Sequence, residues 1–220
     1  MDEKKEIIKR IESIAGKYSA YEVFSDWIRC CALAISNNTM PMQLQRKIWE
    51  DREKAYMDTI SRYTAKEVAL FPEMLALLAM ALEKNMEDVL GDIYMSSGMG
   101  SKAAGQFFTP YHLSELCAEL TAPEPDESGI YRVSEPSCGG GGMIIAMAKA
   151  LKKRGVDYQR KMQVIAQDLD WKGVYMCYLQ LSLLGIQAIC VQGDTLTEPY
   201  RKGYPPDRVL YTPAKVGVII

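Results

Sequence analysis

A run of glycines and two aspartates carry the chemistry that this sequence predicts. Four consecutive glycines, residues 139–142, join a predicted strand at residues 131–135 to a predicted helix at residues 143–154. Glycine accepts positive φ and has no Cβ, so such a loop lets a ligand approach bare backbone. The free N–H groups of the following helix point at the same place. The pattern predicts a ligand-binding loop, although a linker or a helix-capping turn would also use glycines.

Asp168 and Asp194 each follow a predicted strand, at residues 162–167 and 186–191. Asp168 lies 26 positions beyond Gly142, a spacing typical of nucleoside-binding folds. A carboxylate at this place can accept hydrogen bonds from both hydroxyls of a ribose, and either Asp168 or Asp170 could serve. Each aspartate alone would equally suit a turn or a helix cap. Their order and spacing together favour a binding site at the carboxyl ends of the strands.

The elements that position these residues alternate between strand and helix from residue 131 onward. A helix at residues 169–184 connects the second and third strands, and a fourth strand is predicted at residues 208–211. Such alternation predicts right-handed β-α-β crossovers and a parallel sheet, and hence an α/β fold. We therefore predict a helical N-terminal domain, residues 1–104, followed by a Rossmann-like domain, residues 105–220.

The N-terminal region has apolar residues at helical spacing. Ile7, Ile8, Ile11 and Ile14 define the first helix, Ser19 is expected to cap the second, and Asn37 with Asn38 is expected to end it. Further helices are predicted at residues 43–63, 72–84 and 87–94.

Another helix is predicted to start at Thr109 as N-cap, with Pro110 as the first helical residue. We expect it to run to about residue 120 and to bury an apolar face formed by Leu113, Leu116, Cys117 and Leu120.

The composition excludes several kinds of protein. The 220 residues carry a formal net charge of −2, so no global basic field indicates nucleic acid. The six cysteines form no C-x-x-C pair and there is one histidine, so we expect no metal site. Cysteines scattered through apolar segments are typical of reduced core residues in a cytoplasmic protein. The charged N-terminus is unlike a signal peptide, and the most apolar run, residues 75–82, is too short to span a membrane.

Two motifs resemble a known family. The segment Glu135-Pro136-Ser137-Cys138 followed by the glycines is similar to the S-adenosylmethionine loop of DNA adenine-N6 methyltransferases. In the methylation subunits of type I restriction systems this loop typically reads Asp-Pro-Ala-Cys-Gly-Ser-Gly-Gly. Residues 105–110, Gly-Gln-Phe-Phe-Thr-Pro, resemble the family segment that lines the methionine end of the cofactor. The resemblance covers about residues 88–212.

The resemblance implies a Rossmann-like methyltransferase core that binds S-adenosylmethionine and acts on DNA. It assigns Asp168 to the ribose, because the family's Gly-Gln-Glu pattern aligns with residues 166–168. It assigns Asp194 to the adenine amino group. The complete implied set of cofactor-binding residues is Gln106, Phe107, Phe108, Thr109, Glu135, Pro136, Ser137, Cys138, Gly139, Gly141, Asp168, Leu169, Asp194 and Thr195.

The catalytic segment departs from the family pattern. The family holds and stacks its target adenine with Asn-Pro-Pro followed by an aromatic residue, just after the fourth strand. Here that place reads Thr212-Pro213-Ala214-Lys215, so the amide, the second proline and the aromatic ring are all replaced. The resemblance therefore predicts S-adenosylmethionine binding, with adenine-N6 methylation as the family reaction. The alternative is a cofactor-binding regulatory or structural subunit without catalysis.

The last residues form an apolar tail after the fourth strand. Val216, Val218, Ile219 and Ile220 are β-branched and apolar. In the resembled fold the fourth strand lies near the middle of a seven-stranded sheet, and an exposed edge with such residues invites pairing. We expect either a longer protein, or a second copy or partner subunit that covers this edge.

Overall fold

The structure, a computed structural model, describes residues 2–39, 46–96 and 108–217. The N-terminal region contains five helices in the described residues, and Ile7, Ile11 and Ile14 of the first are buried as their spacing predicts. None of the helices in the described part of the chain is long and apolar enough to cross a membrane. The bounds of the five are α1 Glu3–Ile14, α2 Ala20–Thr39, α3 Arg46–Ile60, α4 Ala65–Lys84 and α5 Val89–Ser96.

Two of these helices differ from the prediction at their ends. The helix α4 begins at Ala65 instead of Pro72, because Thr64 and Glu67 form a capping box upstream and Pro72 is accommodated inside the helix. The helix α2 continues through Asn37 and Asn38, where the Asn37 amide donates a 3.2 Å hydrogen bond to the Trp49 carbonyl. The Asn37 side chain therefore bonds to a residue of α3, and the helix does not end at the asparagines as predicted.

The sheet follows, with helices between its first three strands. Strands β1 and β2 are parallel, and so are β2 and β3, which confirms the predicted α/β class with its preceding helices. The elements are α6 Tyr111–Thr121, β1 Tyr131–Glu135, α7 Gly142–Lys153, α8 Tyr158–Lys161, β2 Met162–Asp168, α9 Trp171–Leu183, β3 Gln187–Gln192, β4 Val209–Tyr211 and α10 Pro213–Val216.

The fourth strand runs against the prediction. It pairs with β3 antiparallel, with Val209 opposite Val191, and it lies at the edge of the order β1-β2-β3-β4. A parallel return needs a crossover, usually a helix. Residues 193–208 contain only a 3₁₀ turn at Pro206–Arg208, so the chain turns back at the same end of the sheet. The expectation of a fully parallel sheet is therefore wrong for the described residues.

The helix α6 also differs from the prediction. It begins at Tyr111, with Pro110 as N-cap and no side-chain cap bond from Thr109. Its buried residues are Ser114 and Ala118, two small residues that let α6 pack closely on α7. The face expected to be buried is instead exposed, and it comprises Leu113, Leu116, Cys117 and Leu120.

One hydrophobic core joins the helical region to the sheet. It runs without interruption from Ile7 through Trp27 and Leu90 to Leu210, and α2 packs directly on α9. The predicted domain boundary at residue 104 falls outside the described residues and stays a prediction. Val218, Ile219 and Ile220, on which the expected pairing of the C-terminal edge depends, also lie outside them.

Candidate functional site

A cavity of about 320 Å³ opens beside the glycine loop, at the carboxyl ends of β1 and β2. Its walls come from the loop, from the start of α6 and from the residue that precedes α5. The residues that line it are Asp88, Phe108, Thr109, Ser114, Ser137, Cys138, Gly139, Gly140, Gly142, Met143 and Asp168.

Two glycines of the loop have backbone conformations that other residues rarely adopt. Gly139 has φ of 49°, and a Cβ built there would lie 2.7 Å from Cδ1 of Phe108. Gly141 has φ of 93° and is the N-cap of α7, so the chain turns from loop into helix at this residue. The loop is therefore shaped by glycine at the positions where Phe108 and α7 approach it.

Asp168 ties the loop to the end of β2. Its Oδ2 accepts a 2.8 Å hydrogen bond from the Gly139 N–H, and its Oδ1 accepts a 2.9 Å bond from the Asp170 N–H. The N–H of Cys138 also donates to the Gln167 carbonyl, at 2.9 Å. Each carboxylate oxygen has a second lone pair, so Asp168 can hold the loop and still accept a bond from a ligand hydroxyl.

A buried network below the loop was missed by the sequence reasoning. Gln180 of α9 is fully buried, and its amide nitrogen donates to Oδ1 of Asp88 at 2.8 Å and to the Gly140 carbonyl at 2.7 Å. Its amide oxygen accepts from the Leu90 N–H at 3.1 Å. Gln180 therefore links the glycine loop to the start of α5. Neither the glutamine nor Asp88 indicates this contact from its residue type.

The Phe108 ring is positioned by a second set of contacts. Its centroid lies 5.3 Å from that of Tyr94, whose hydroxyl accepts a 2.9 Å hydrogen bond from Nζ of Lys172. Lys172 is buried, and its Nζ also lies 4.5 Å from the Tyr94 ring centroid. Lys172 therefore holds Tyr94, which packs against the Phe108 ring, and it is not among the residues that line the cavity.

The described lining of the cavity is acidic. Its charged side chains are the carboxylates of Asp88 and Asp168, and no lysine, arginine or histidine is among the described lining residues. Burial raises the pKa of Asp88, while hydrogen bonds from Gln180 and the Gly91 N–H oppose that shift. Such carboxylates favour a cation and disfavour a phosphate.

The predicted cofactor residues fall into four groups. Phe108, Thr109, Ser137, Cys138, Gly139 and Asp168 line the cavity. Glu135, Pro136 and Gly141 shape the loop without lining it; Oε1 of Glu135, for instance, accepts a 3.1 Å bond from the Ser137 N–H. Gln106 and Phe107 lie outside the described residues.

The remaining predicted residues stand beside the cavity. Leu169 is exposed, and Oδ1 of Asp194 accepts a 2.9 Å bond from the N–H of Leu196. Thr195 reaches back to the loop, because its Oγ1 donates to the Pro136 carbonyl at 2.6 Å. The end of β3 is thus connected to the glycine loop, although Asp194 does not share the cavity with Asp168.

The segment Thr212–Lys215 lies at the other end of the sheet. Thr212 is fully buried, and its Oγ1 donates to the Ile186 carbonyl at 2.7 Å and accepts from the Ala188 N–H at 2.9 Å. These partners stand where β3 begins, whereas the glycine loop stands where the strands end. The antiparallel direction of β4 therefore separates this segment from the cavity, and Thr212 fastens the sheet.

Metal-ligand geometry is not found in the described ranges. No group of three or more His, Cys, Asp or Glu side chains within them is arranged to hold a metal ion.

Comparison with known proteins places this architecture in context. A type I restriction enzyme MpnII methylase subunit of Mycoplasma pneumoniae is 28% identical over 123 residues, which are 52% of this chain and 22% of the relative. The crystal structure of a type I restriction-modification methyltransferase subunit from Streptococcus thermophilus aligns with 92% of this chain and 41% of its own, at 16% identity and a TM-score of 0.42. The chain thus spans about a fifth of the curated relative's length.

The sequence model of the family described as N-6 DNA Methylase matches residues 85–216. That range contains α5, the glycine loop, all four strands and both Asp88 and Asp168. It covers more than half of the chain, and it confirms the family resemblance of the two motifs. The chain belongs to the N-6 DNA methylase family.

Proposed function

We propose that this chain binds S-adenosylmethionine in the cavity beside the glycine loop, as the methyl-donor part of an adenine-N6 DNA methyltransferase. One observation carries the proposal: the lining residues present two carboxylates and, in the described part of the chain, no cationic side chain. S-adenosylmethionine carries a sulfonium and an ammonium, so its net charge is positive. A phosphate-bearing nucleotide would meet only repulsion from these side chains.

The adenosine half of the cofactor is assigned to the ends of β2 and β3. We assign the ribose hydroxyls to Asp168, whose oxygens have lone pairs left after binding the loop. We assign the adenine to Leu169, Asp194 and Thr195, which stand beside the cavity. The exposed fraction of Leu169 is 68%, so it offers an apolar surface to a base. The amino-acid half then lies between the loop and Phe108.

The reaction proposed for the whole enzyme is transfer of the methyl group from sulfonium to the N6 of adenine in DNA. The Mycoplasma relative is named as a methylase subunit of a type I restriction enzyme, which supports DNA as substrate and further subunits as partners. That name also favours the family reaction over a regulatory subunit without catalysis. A second copy or another subunit at the C-terminal edge, and a cytoplasmic location, belong to the same proposal.

Calorimetry with S-adenosylmethionine tests the binding. We expect Asp168→Ala to weaken binding by about 1–3 kcal/mol, the usual effect of leaving polar groups without partners. Asp157→Ala is the matched control, because Asp157 caps α8 away from the cavity. We also expect ATP to bind much more weakly than S-adenosylmethionine. Unchanged affinity in both Asp168→Ala and Asp194→Ala would refute the proposed site.

A methyl-transfer assay tests whether this chain can carry out the reaction alone. We expect this chain alone to transfer no methyl group from labelled S-adenosylmethionine to adenine in duplex DNA, because the Thr212–Lys215 segment is remote from the cavity. N6-methyladenine formed by the purified chain, with contaminating enzymes excluded, would show that other residues hold the target base.

A further inference from the structure

Asp88 lies in the cavity, and one of its carboxylate oxygens has no hydrogen-bond partner among the described residues. Its exposed fraction is 4%, yet it lines the cavity. The oxygen Oδ1 accepts bonds from the Gly91 N–H at 2.9 Å and from the Gln180 amide at 2.8 Å. None of the hydrogen bonds among the described residues is made to Oδ2. Oδ2 lies against Gly140 and Gly142, which also line the cavity, so a ligand group there could bond to it.

A second polar group faces the same cavity without a partner. Ser114 is fully buried in α6, and its Oγ makes no hydrogen bond to any described residue. Ser114 also lines the cavity. The cavity thus contains an acceptor, Oδ2 of Asp88, and a donor, the Ser114 hydroxyl. A ligand with an ammonium and a carboxylate on one carbon could bond to both.

The glycines of the loop leave space for the Asp88 carboxylate. A Cβ on Gly140 would lie 2.8 Å from Oδ1 and 3.0 Å from Oδ2, and a Cβ on Gly142 would lie 3.0 Å from Oδ2. Side chains at these positions would therefore displace Asp88. Lys4, whose charge acts to lower the pKa of Asp88, is already paired with Glu87 at 3.0 Å and Asp92 at 2.6 Å. The charge of Asp88 thus has no contacting cation among the described residues.

We propose that Oδ2 of Asp88 accepts a hydrogen bond from the ammonium of the cofactor's amino-acid end, and that Ser114 donates to its carboxylate. This inference rests on the proposed function and adds two residues, outside the segment 105–110, that would bind the charged groups of the amino-acid end. The proposal also explains why a carboxylate stands below the loop. The bond from the Gly91 N–H that caps α5 uses only Oδ1, which leaves Oδ2 for the ligand.

Asparagine at position 88 separates ligand binding from helix capping. Asn caps helices as well as Asp does, and its oxygen can keep the bonds from Gly91 and Gln180. Its NH₂ group would replace Oδ2 and would present a donor to the ammonium. Asp92→Asn is the matched control, because it removes a carboxylate one turn further along α5 that does not line the cavity.

The experiment measures the affinity of S-adenosylhomocysteine and of two analogues, one lacking the ammonium and one lacking the carboxylate. We expect Asp88→Asn to weaken S-adenosylhomocysteine and the decarboxylated analogue by about ten-fold or more, the range for hydrogen bonds to charged groups. The deaminated analogue should bind the wild type and Asp88→Asn equally. Asp92→Asn should change none of the three. Ser114→Ala should weaken only the two ligands that retain the carboxylate.

Two results would overturn the assignment. An equal loss for all three ligands in Asp88→Asn would mean that Asp88 acts only through the shape of the loop. Unchanged affinity for all three would mean that it has no part in binding. Failure of the wild type to bind S-adenosylhomocysteine would instead overturn the proposed function, and this inference with it.

Discussion

Replacing Gln180 with leucine tests whether the buried network holds the glycine loop to the helical region. The side chain makes three hydrogen bonds, to Asp88, to the Gly140 carbonyl and from the Leu90 N–H. Leucine has a similar volume but would leave that carbonyl and that N–H buried without partners. Each such group costs about 1–3 kcal/mol, so the free energy of unfolding should fall by about 2–6 kcal/mol. For a chain of this size that lowers Tm by roughly 5–20 °C.

Urea denaturation with matched variants measures this effect. Gln187→Leu is the control, because Gln187 also donates two bonds to carbonyls, at 2.9 and 3.2 Å, but at an exposed place. Water can replace those bonds, so we expect a loss below about 1 kcal/mol. If Gln180→Leu were no less stable than Gln187→Leu, the network would contribute nothing to the fold and the reasoning would be wrong.

Three further changes test other parts of the structure. Gly139→Ala should lower the free energy of unfolding by about 1–3 kcal/mol and weaken cofactor binding, because its Cβ would meet Phe108. Gly155 has φ of 77° and no atom within 4 Å of a built Cβ, so Gly155→Ala should lower stability only through backbone strain and should leave cofactor affinity unchanged. Thr212→Val should lower the free energy of unfolding by about 1–3 kcal/mol and leave cofactor affinity unchanged, and a change in that affinity would place the segment nearer the site. The raised pKa of Asp88 means that the native state keeps a proton above pH 3.8 that the unfolded chain has lost, so stability falls as pH rises from 3.8 to the native pKa. The stability of the wild type minus that of Asp88→Asn should therefore decline over that window, and a flat difference would contradict the shift.

The sequence predicted the part of the fold that depends on local patterns. The first three strands, the helices between them and the glycine loop follow from apolar periodicity and glycine chemistry, and both extend over neighbouring residues. Asp168 was found for the same reason, because a carboxylate at the end of a strand can be recognised from its position. Its bond to the Gly139 N–H is consistent with that placement.

The network around Asp88 could not be predicted in this way. Asp88 and Gln180 are 92 positions apart, and each has an ordinary role in its own helix, as a cap and as an interior residue. The direction of β4 depends on the connection at residues 193–208, which has no α-helix. Apolar periodicity does not predict this, because the segment is rich in prolines and glycines. The outward leucines of α6 show the same limit, because small residues packed better against α7 than the apolar stripe did.

The rates at which a thiol reagent modifies the cysteines of this protein report how often each part of the fold opens. Of the six cysteines, Cys117 is exposed and the others are buried, and burial raises the pKa of Cys30 to about 12. A thiol reagent should therefore modify Cys117 at once, and the others only when the segment around each one opens. Cys138 belongs to the glycine loop, whereas Cys30 and Cys31 belong to α2. Their relative labelling rates would show whether the loop opens alone or together with the helices beneath it.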